Sequence, residues 1–519
     1  MTPSPLPSRG THAVERFATD ERGAGTVFAL FWLILCFVLA GFAVDGTNAW
    51  RNQQQLQQTA DVAAHAGVVQ IARGADNATV HQTSVDAVAY NMPQSVFGPL
   101  IYDANSDVVL LDYDDVTNTA KTGGTTNAVG VTLHRDGLVG NAVRTLMLRV
   151  AALATRGETD VPAWNMQVTG VAAVVPHRKC SSTDGFYAQG QIHLSSSQSI
   201  GAGYCLHSQD EVWMPQQNSF EVGAGLSMPD LDDCGSKCTD EANPGSEAAA
   251  FETNLLLPDL GVFIADKVQA FTGPSLVDGE PVTYPVRDAF YDEKMGDASL
   301  DATALATLAS DTGIDVTGLD VGDVVSLSQS EFMSMTQIPE GLTYSVSCAS
   351  NGSGGKTEIV LDSSNGGNAL RNVAIVTNCA VHFGSDADVS RSLVISTRAS
   401  SNPTITADSG ARAGTLSGQA DTCAAANKSY IMAVSPLKVP ASFTASNVAF
   451  MVDNDINIAA SSSASVYEHA GTSFHASGNI SISSSHTFTP CNEPPSGLMP
   501  QILVIRHVAP IGNALVATN

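Results

Sequence analysis

Basic residues are scarce. Lysine and arginine number 24 against 51 aspartates and glutamates, and the 519-residue chain carries a net charge of −27. No nucleic-acid partner is expected from this balance, because a phosphate backbone is held by a basic field. Adhesion to anionic lipid through charge is not expected for the same reason. Charges of either sign make up only 14% of the residues, so the polar surface comes from Ser, Thr, Asn and Gln more than from salt-bridged helices. GxSxG, Walker, HExxH and Gly-rich dinucleotide motifs are all missing. No cofactor and no metal centre is expected.

What is present is a folded composition. Hydrophobic residues reach 44%, and 519 residues are enough for two or three domains with sizeable cores. Abundant Gly and Ser with few Lys and Glu lean the bulk towards β-structure and loops. The one long apolar run, Thr26–Val44, has 19 residues without a charge and would span about 28 Å as a helix. Arg9, Arg16 and Arg22 precede it, and Arg51 is the first basic residue after it. That bias puts the N-terminus in the cytoplasm and everything from Asp45 onward on the far side. A cleaved signal peptide with Gly41-Phe42-Ala43 as the cut site is the alternative. The length of the run and the absence of a break after it favour an uncleaved anchor.

Cys36 lies inside the run. Cys180, Cys205, Cys234, Cys238, Cys348, Cys379, Cys423 and Cys491 lie beyond it. An even set in an exported segment reads as disulfides. Zinc is the rival reading, but Cys234 and Cys238 have no second close pair and no histidine at ligand spacing. Many pairings are open; the sequence-neighbour order 180–205, 234–238, 348–379 and 423–491 is the starting expectation.

After Asp45 and Gly46, small and apolar residues recur at helical steps: Ala49, Leu56, Ala60, Ala63 or Ala64, Gly67 and Ile71. The membrane helix is therefore expected to continue outward as one rod, with Gly46 a weak point. Its small-residue face would pack on the chain's own domain or on a partner subunit, as a homo- or hetero-oligomer.

The stretch RFATDERGAGTVFALFWLILCFVLAGFAVDGTNAWRNQQQLQQTADVAAHAG resembles the N-terminal segment of TadE/TadG-like proteins of the Flp (tight adherence) pilus. The matching residues are Phe17, Asp20 and Gly23, then Asp45, Arg51, Leu56, Gln57, Ala60, Asp61, Ala63 and Ala64. His65 stands where the family has an apolar residue. Processed pilins carry a glutamate five residues after the cleaved glycine. Here that position is Phe28, so the resemblance implies the non-processed, TadG-like branch. Many such chains also carry a von Willebrand A domain with a DxSxS metal site. The one match here, Asp388, Ser390 and Ser392, follows a turn signal rather than ending a buried strand, and no metal site is expected there.

Residues 76–176 read as an α+β module of pilin-like plan, with helices at VHQTSVDAVAYN and LVGNAVRTLMLRVAALA and strands at DVVLLDYDD, NAVGVTLHR and WNMQVTGVAAVVP. From Cys180 on, short alternating runs with Gly, Ser, Asn and Asp at their corners suit a parallel β-helix, with a β-sandwich as the rival. GQIHLSSSQSIGAGYC at 190–205 resembles GNISISSSHTFTPC at 478–491. Residues 246–345 read as a helical insertion projecting from the β-helix. The expected order is thus a cytoplasmic tail (1–25), membrane helix (26–44), juxtamembrane helix (45–75), α+β module (76–176), β-helix (177–245), helical insertion (246–345) and β-helix again (346–519). The fold class is α+β, mostly β.

Carboxylates that would serve a β-helical carbohydrate enzyme are Asp453 and Asp455, and Asp230, Asp232 and Asp233. They read as turn or loop residues. His177, His193 and His207 have no fixed spacing to a nucleophile. The expectation is a non-enzymatic component of Flp pilus assembly, held in the bacterial inner membrane by one helix with its bulk in the periplasm. It would brace the apparatus or act as a minor pilin-like subunit alongside other pilus-assembly subunits. An anchored surface adhesin is the first alternative, a carbohydrate-active enzyme the second.

Overall fold

The computed structural model describes residues 22–147, 163–273, 276–349, 357–459 and 467–508, apart from 115–116, 118, 125, 177–179, 181–183, 278–279, 282–283, 365–368, 415–422, 441, 484 and 492–496. The chain divides into two units, Met1–Val175 with Ile505–Asn519, and Pro176–Val504.

The first unit is organised by one helix, α1 (Arg22–Ala72, 51 residues), about 77 Å long at 1.5 Å per residue. Alanine, leucine and glutamine propagate it, and it passes through Gly46 without a break. Its N-terminal part is long and apolar enough to cross a membrane. A second helix, α2 (Asn77–Asn91), is capped by Asp76, which accepts from the Thr79 N–H. The strands β1 (Val108–Asp114), β2 (Thr119–Thr122), β3 (Ala128–Arg135) and β4 (Met166–Pro176) form a sheet with order β2-β1-β3-β4, extended by the C-terminal strand Leu503–Val508. That strand therefore leaves the β-rich region in which its position in the sequence had placed it. The helix expected across 138–154 is not formed over 138–146: Leu138–Gly140 turn, and Val143–Arg144 pairs with Ala163–Trp164, while Met147 is helical. Residues 148–154 lie outside the described set.

The second unit is a stack of parallel strands in sheets of eleven, eight, four and four strands, a β-helix-like arrangement. The largest has eleven strands. From one end they are Ala250–Glu252, Gly225–Met228, Cys205–Ser208, Gly185–Ala188, Ser473–Ala476, Val448–Val452, Ser429–Ala433, Leu393–Ser396, Ala374–Thr377, Thr343–Ser347 and Val324–Ser328. One residue from each builds an inward column: Val325, Tyr344, Ile375, Val394, Ile431, Phe450, Phe474, Phe186, Leu206, Leu226 and Ala250 stand in register. Phe450, Phe474 and Phe186 stack at 5.1 and 5.0 Å between ring centroids. The opposite face of this sheet is also buried, against helices α3 (Leu260–Thr272) and α4 (Pro285–Met295). Burial on both faces is why NVAIVT, SLVIS and NVAFMV are unbroken apolar runs. The eight-stranded sheet alternates instead, with Ile192, Ile456 and Ile480 inward and His193, Asn457 and Ser481 outward. A residue in the left-handed region turns the chain back into the large sheet at Asn372 (φ 53°), Arg391 (φ 54°) and Asn447 (φ 55°).

The spatial order does not follow the chain order. The first rung, 185–200, lies directly on the last, 473–489. The two similar segments noted in the sequence are these rungs: Ile480 pairs with Ile192, Ile482 with Leu194 and Phe488 with Ile200. From the first rung the chain winds outward to Ala250–Glu252. It then returns along the outside of the large sheet and starts again at Val324–Ser328, at the opposite edge. The helical segment thus lies along the sheet rather than projecting from it. Its limits differ from 246–345 too, since 250–252, 324–328 and 343–347 are rungs of the stack.

Cysteines join in sequence order: 180–205, 234–238, 348–379 and 423–491. Cys36 is free. Aspartates concentrate at element ends, where Asp230, Asp259 and Asp301 accept from backbone N–H groups. That use absorbs part of the acidic excess.

Candidate functional site

The residues shared with the pilus-assembly segment fall on α1 and divide into three sets. Leu56, Ala60, Ala63 and Ala64 are fully buried within this chain. This face of the helix packs on α2, β3 and β4. A Cβ on Gly170 of β4 would lie 2.5 Å from the Ala60 carbonyl carbon, and one on Gly67 would strike the Ser84 hydroxyl. The close approach needs small residues on both sides. An oligomer through this helix would have to use its opposite, glutamine-rich face.

Gln57 and Asp61 form a polar stitch at the edge of that packing. The Gln57 Nε2 donates to Asp61 Oδ1 at 2.9 Å and to the Thr169 carbonyl at 3.1 Å. His65, one turn on, stands 3.3 Å from His507 of the C-terminal strand. Partial burial and that second imidazole lower its pKa.

Asp45 is the third set by itself. It is 1% exposed, and its carboxylate accepts from the Leu146 N–H at 2.6 Å and the Met147 N–H at 3.1 Å. These amides follow the short strand Val143–Arg144, and the carboxylate takes them up. Hydrogen bonds to a charged acceptor are worth about 1.5–3 kcal/mol each. Around it the Asn48 side chain donates to the Arg144 carbonyl (3.4 Å) and the Arg135 guanidinium to Asn52 (2.6 Å). Arg51 is exposed. Gly23 lies in the first turn of α1, and Phe17 and Asp20 lie outside the described residues.

In the second unit the two sets of candidate acids lie on different elements. Asp230 caps the short helix Leu231–Cys238, on whose exposed side Asp232 and Asp233 stand. Asp453 and Asp455 occupy a corner between Val448–Val452 and Ile456–Ile458, where Asp455 accepts from the Asn479 N–H at 2.7 Å. Asp388–Ser390 is itself a strand, and Ser392 lies beyond the turn at Arg391, its hydroxyl bonded to the Ser390 carbonyl. Burial raises the Asp388 pKa against the pull of Arg412 and Arg371. Among the described residues no group of three His, Cys, Asp or Glu is placed to hold a metal. His193 stacks on Trp213 at 4.1 Å, His207 is buried beside the Ser227 hydroxyl at 2.9 Å, and His177 lies outside the described residues.

Two buried polar groupings had no local signal in the sequence. Lys428 pairs with Asp184 at 2.9 Å, almost wholly out of solvent, and the other Asp184 oxygen accepts from the Cys491 N–H. His469 donates or accepts at 2.9 Å with His486. Burial, and then the neighbouring imidazole, lower the His469 pKa to about 3.

Residues 185–277 and 286–492 match the model of a domain of unknown function, DUF7867. This is more than half of the chain. The chain belongs to that family. The match takes in both arms of the DUF7867 stack and the helices on its outer face. Residues 23–73 match the Flp pilus-assembly TadE/G-like family, which the N-terminal motif had suggested. Searches of curated proteins and of solved structures return no match.

Proposed function

We propose that this DUF7867 protein is a membrane-anchored, non-enzymatic, TadG-like component of Flp pilus assembly. Its N-terminus would be cytoplasmic and its bulk periplasmic, in a bracing or minor pilin-like role. The observation that carries the reading is the TadE/G-like match over 23–73, laid on one unbroken helix whose first part is apolar enough to span a membrane. The basic bias before the run supports the orientation, and the four disulfides support an oxidising compartment. Deleting the gene and imaging pili tests the proposal; pili of normal number and length in the deletion strain would overturn it.

One feature favours the adhesin as a second reading. On the eight-stranded sheet Trp213, His193, Ser481, Asn457, Lys438, Thr406 and His382 form one outward column in register. Such a polar, partly aromatic strip suits a sugar or protein surface. A deletion strain with normal pili but lost surface attachment would favour it.

A further inference from the structure

The loop that Asp45 holds reaches down α1 into its apolar run. Successive contacts trace the path: Arg135 meets Asn52, Arg144 meets Asn48, and Leu146 and Met147 meet Asp45. Met147 then packs on Gly41, where an added Cβ would lie 3.0 Å from the methionine Cβ. Gly41 lies three residues inside the end of Thr26–Val44, about 4.5 Å along the axis. Along this path Val143 and Thr145 turn inward, and a second set of side chains does not. Leu138 is 96% exposed, and Val139, Leu146, Met147, Trp164 and Trp50 are each more than two-fifths exposed. Arg51 and Arg144 are exposed beside them.

We propose that this patch is a second membrane contact: Leu138, Leu146, Met147 and Trp164 enter the bilayer interface beside the point where α1 leaves it. The occupant is the lipid surface and not another protein, because Leu146 and Met147 make the patch continuous with the end of the apolar run. Tryptophan and short aliphatics around a helix exit, with arginines next to them, match the composition of the interfacial zone. Asp45 is then a positioning residue. It fixes the loop against α1, so that the module is seated on the membrane at two points and cannot swivel about a single helix. The inference rests on α1 spanning a membrane.

Depth-dependent quenching tests both claims separately. The full chain, carrying only Trp32 or only Trp164 with the other tryptophans replaced by Phe, is placed in vesicles of phosphatidylethanolamine and phosphatidylglycerol. The acyl chains are brominated near the headgroup or near the middle, with unbrominated lipid as reference. Trp32 is expected to lose about half its emission with mid-chain bromine. Trp164 should lose a similar fraction with headgroup-proximal bromine and little with mid-chain bromine. Leu138→Glu combined with Leu146→Glu, both at exposed positions, should restore Trp164 emission and leave Trp32 quenched. Quenched Trp32 with unquenched Trp164 would assign the patch to a protein partner and overturn the proposal alone. Unquenched Trp32 would overturn the spanning reading and the proposal with it.

Discussion

Lys428 and Asp184 are 244 residues apart in sequence and meet where the two arms of the stack join, one on each side of the seam. Their side chains are 4% and 0% exposed. Replacing Lys428 by Met leaves a buried carboxylate without its counter-charge, still bonded to the Cys491 N–H. Breaking one side of such a pair costs about 3–5 kcal/mol, whereas removing both charges is often close to neutral. The second unit has about 330 residues, so its unfolding entropy is about 0.7 kcal/mol/K, and a loss of about 4 kcal/mol lowers its transition by about 6 °C. Scanning calorimetry of the full chain should show that drop for Lys428→Met. The double variant Asp184→Asn/Lys428→Met should recover at least half of it. A single variant shifted by less than about 1 °C, or a double variant showing the sum of both single losses, would refute a coupled buried pair.

Asp45→Ala strands two backbone N–H groups and should raise hydrogen exchange at Leu146 and Met147 by about 100-fold, since roughly 3 kcal/mol of local protection goes; Asp45→Asn, which keeps an acceptor, should do so less. His469 is buried neutral, so its folded pKa of about 3 lies below the unfolded value of 6.5. The unfolded chain therefore takes up the proton first, and stability present above pH 6.5 is lost as pH falls towards 3, at about 1.4 kcal/mol per unit. Melting curves between pH 7 and 4 should be flatter by that one proton in His469→Gln, and equal slopes would count against it. Peptide mapping without reduction should return the four sequence-neighbour bridges and a thiol only at Cys36. Removing Cys348–Cys379 or Cys423–Cys491 should each cost about 4 kcal/mol, from loops of 31 and 68 residues.

How much of this was legible in the sequence depended on whether the signal was local. The rod could be read because apolar spacing and the absence of proline are properties of neighbouring residues, and the strands of NAVGVTLHR and WNMQVTGVAAVVP could be read for the same reason. The likeness of 190–205 to 478–491 could be read because stacked rungs bury like residues at like positions, but that the two rungs lie on each other could not. Three more things were not legible. Leu138–Leu146 looked helical from its apolar spacing, yet it forms a turn and a short strand, with Val143 and Thr145 buried and Leu138, Val139 and Leu146 exposed, and Asp45 takes the amides of Leu146 and Met147. The strand QILVIRHVAP reads the same whichever sheet accepts it. Residues 246–345 mixed both periods, because some of its strands belong to the stack while its helices cover it.

The unusual chain order follows from where the stack sits in the chain. It is inserted between β4 and the strand Leu503–Val508, which neighbour each other in the sheet of the first unit. Insertion is tolerated when the entry and exit of the inserted unit lie close together. A stack wound in simple order would fail this: eleven strands at about 4.8 Å spacing put its ends about 48 Å apart. Starting the chain in the middle removes the problem, since the first rung then lies on the last and entry and exit are one spacing apart. The cost is a connection that must run the length of the sheet, from Glu252 back to Val324. Helices suit that connection because they satisfy their own backbone while presenting apolar faces to the sheet. The helices over the large sheet, the doubly buried strands beneath them and the charge pair at the seam are thus consequences of one constraint, the insertion of a long stack into a small sheet.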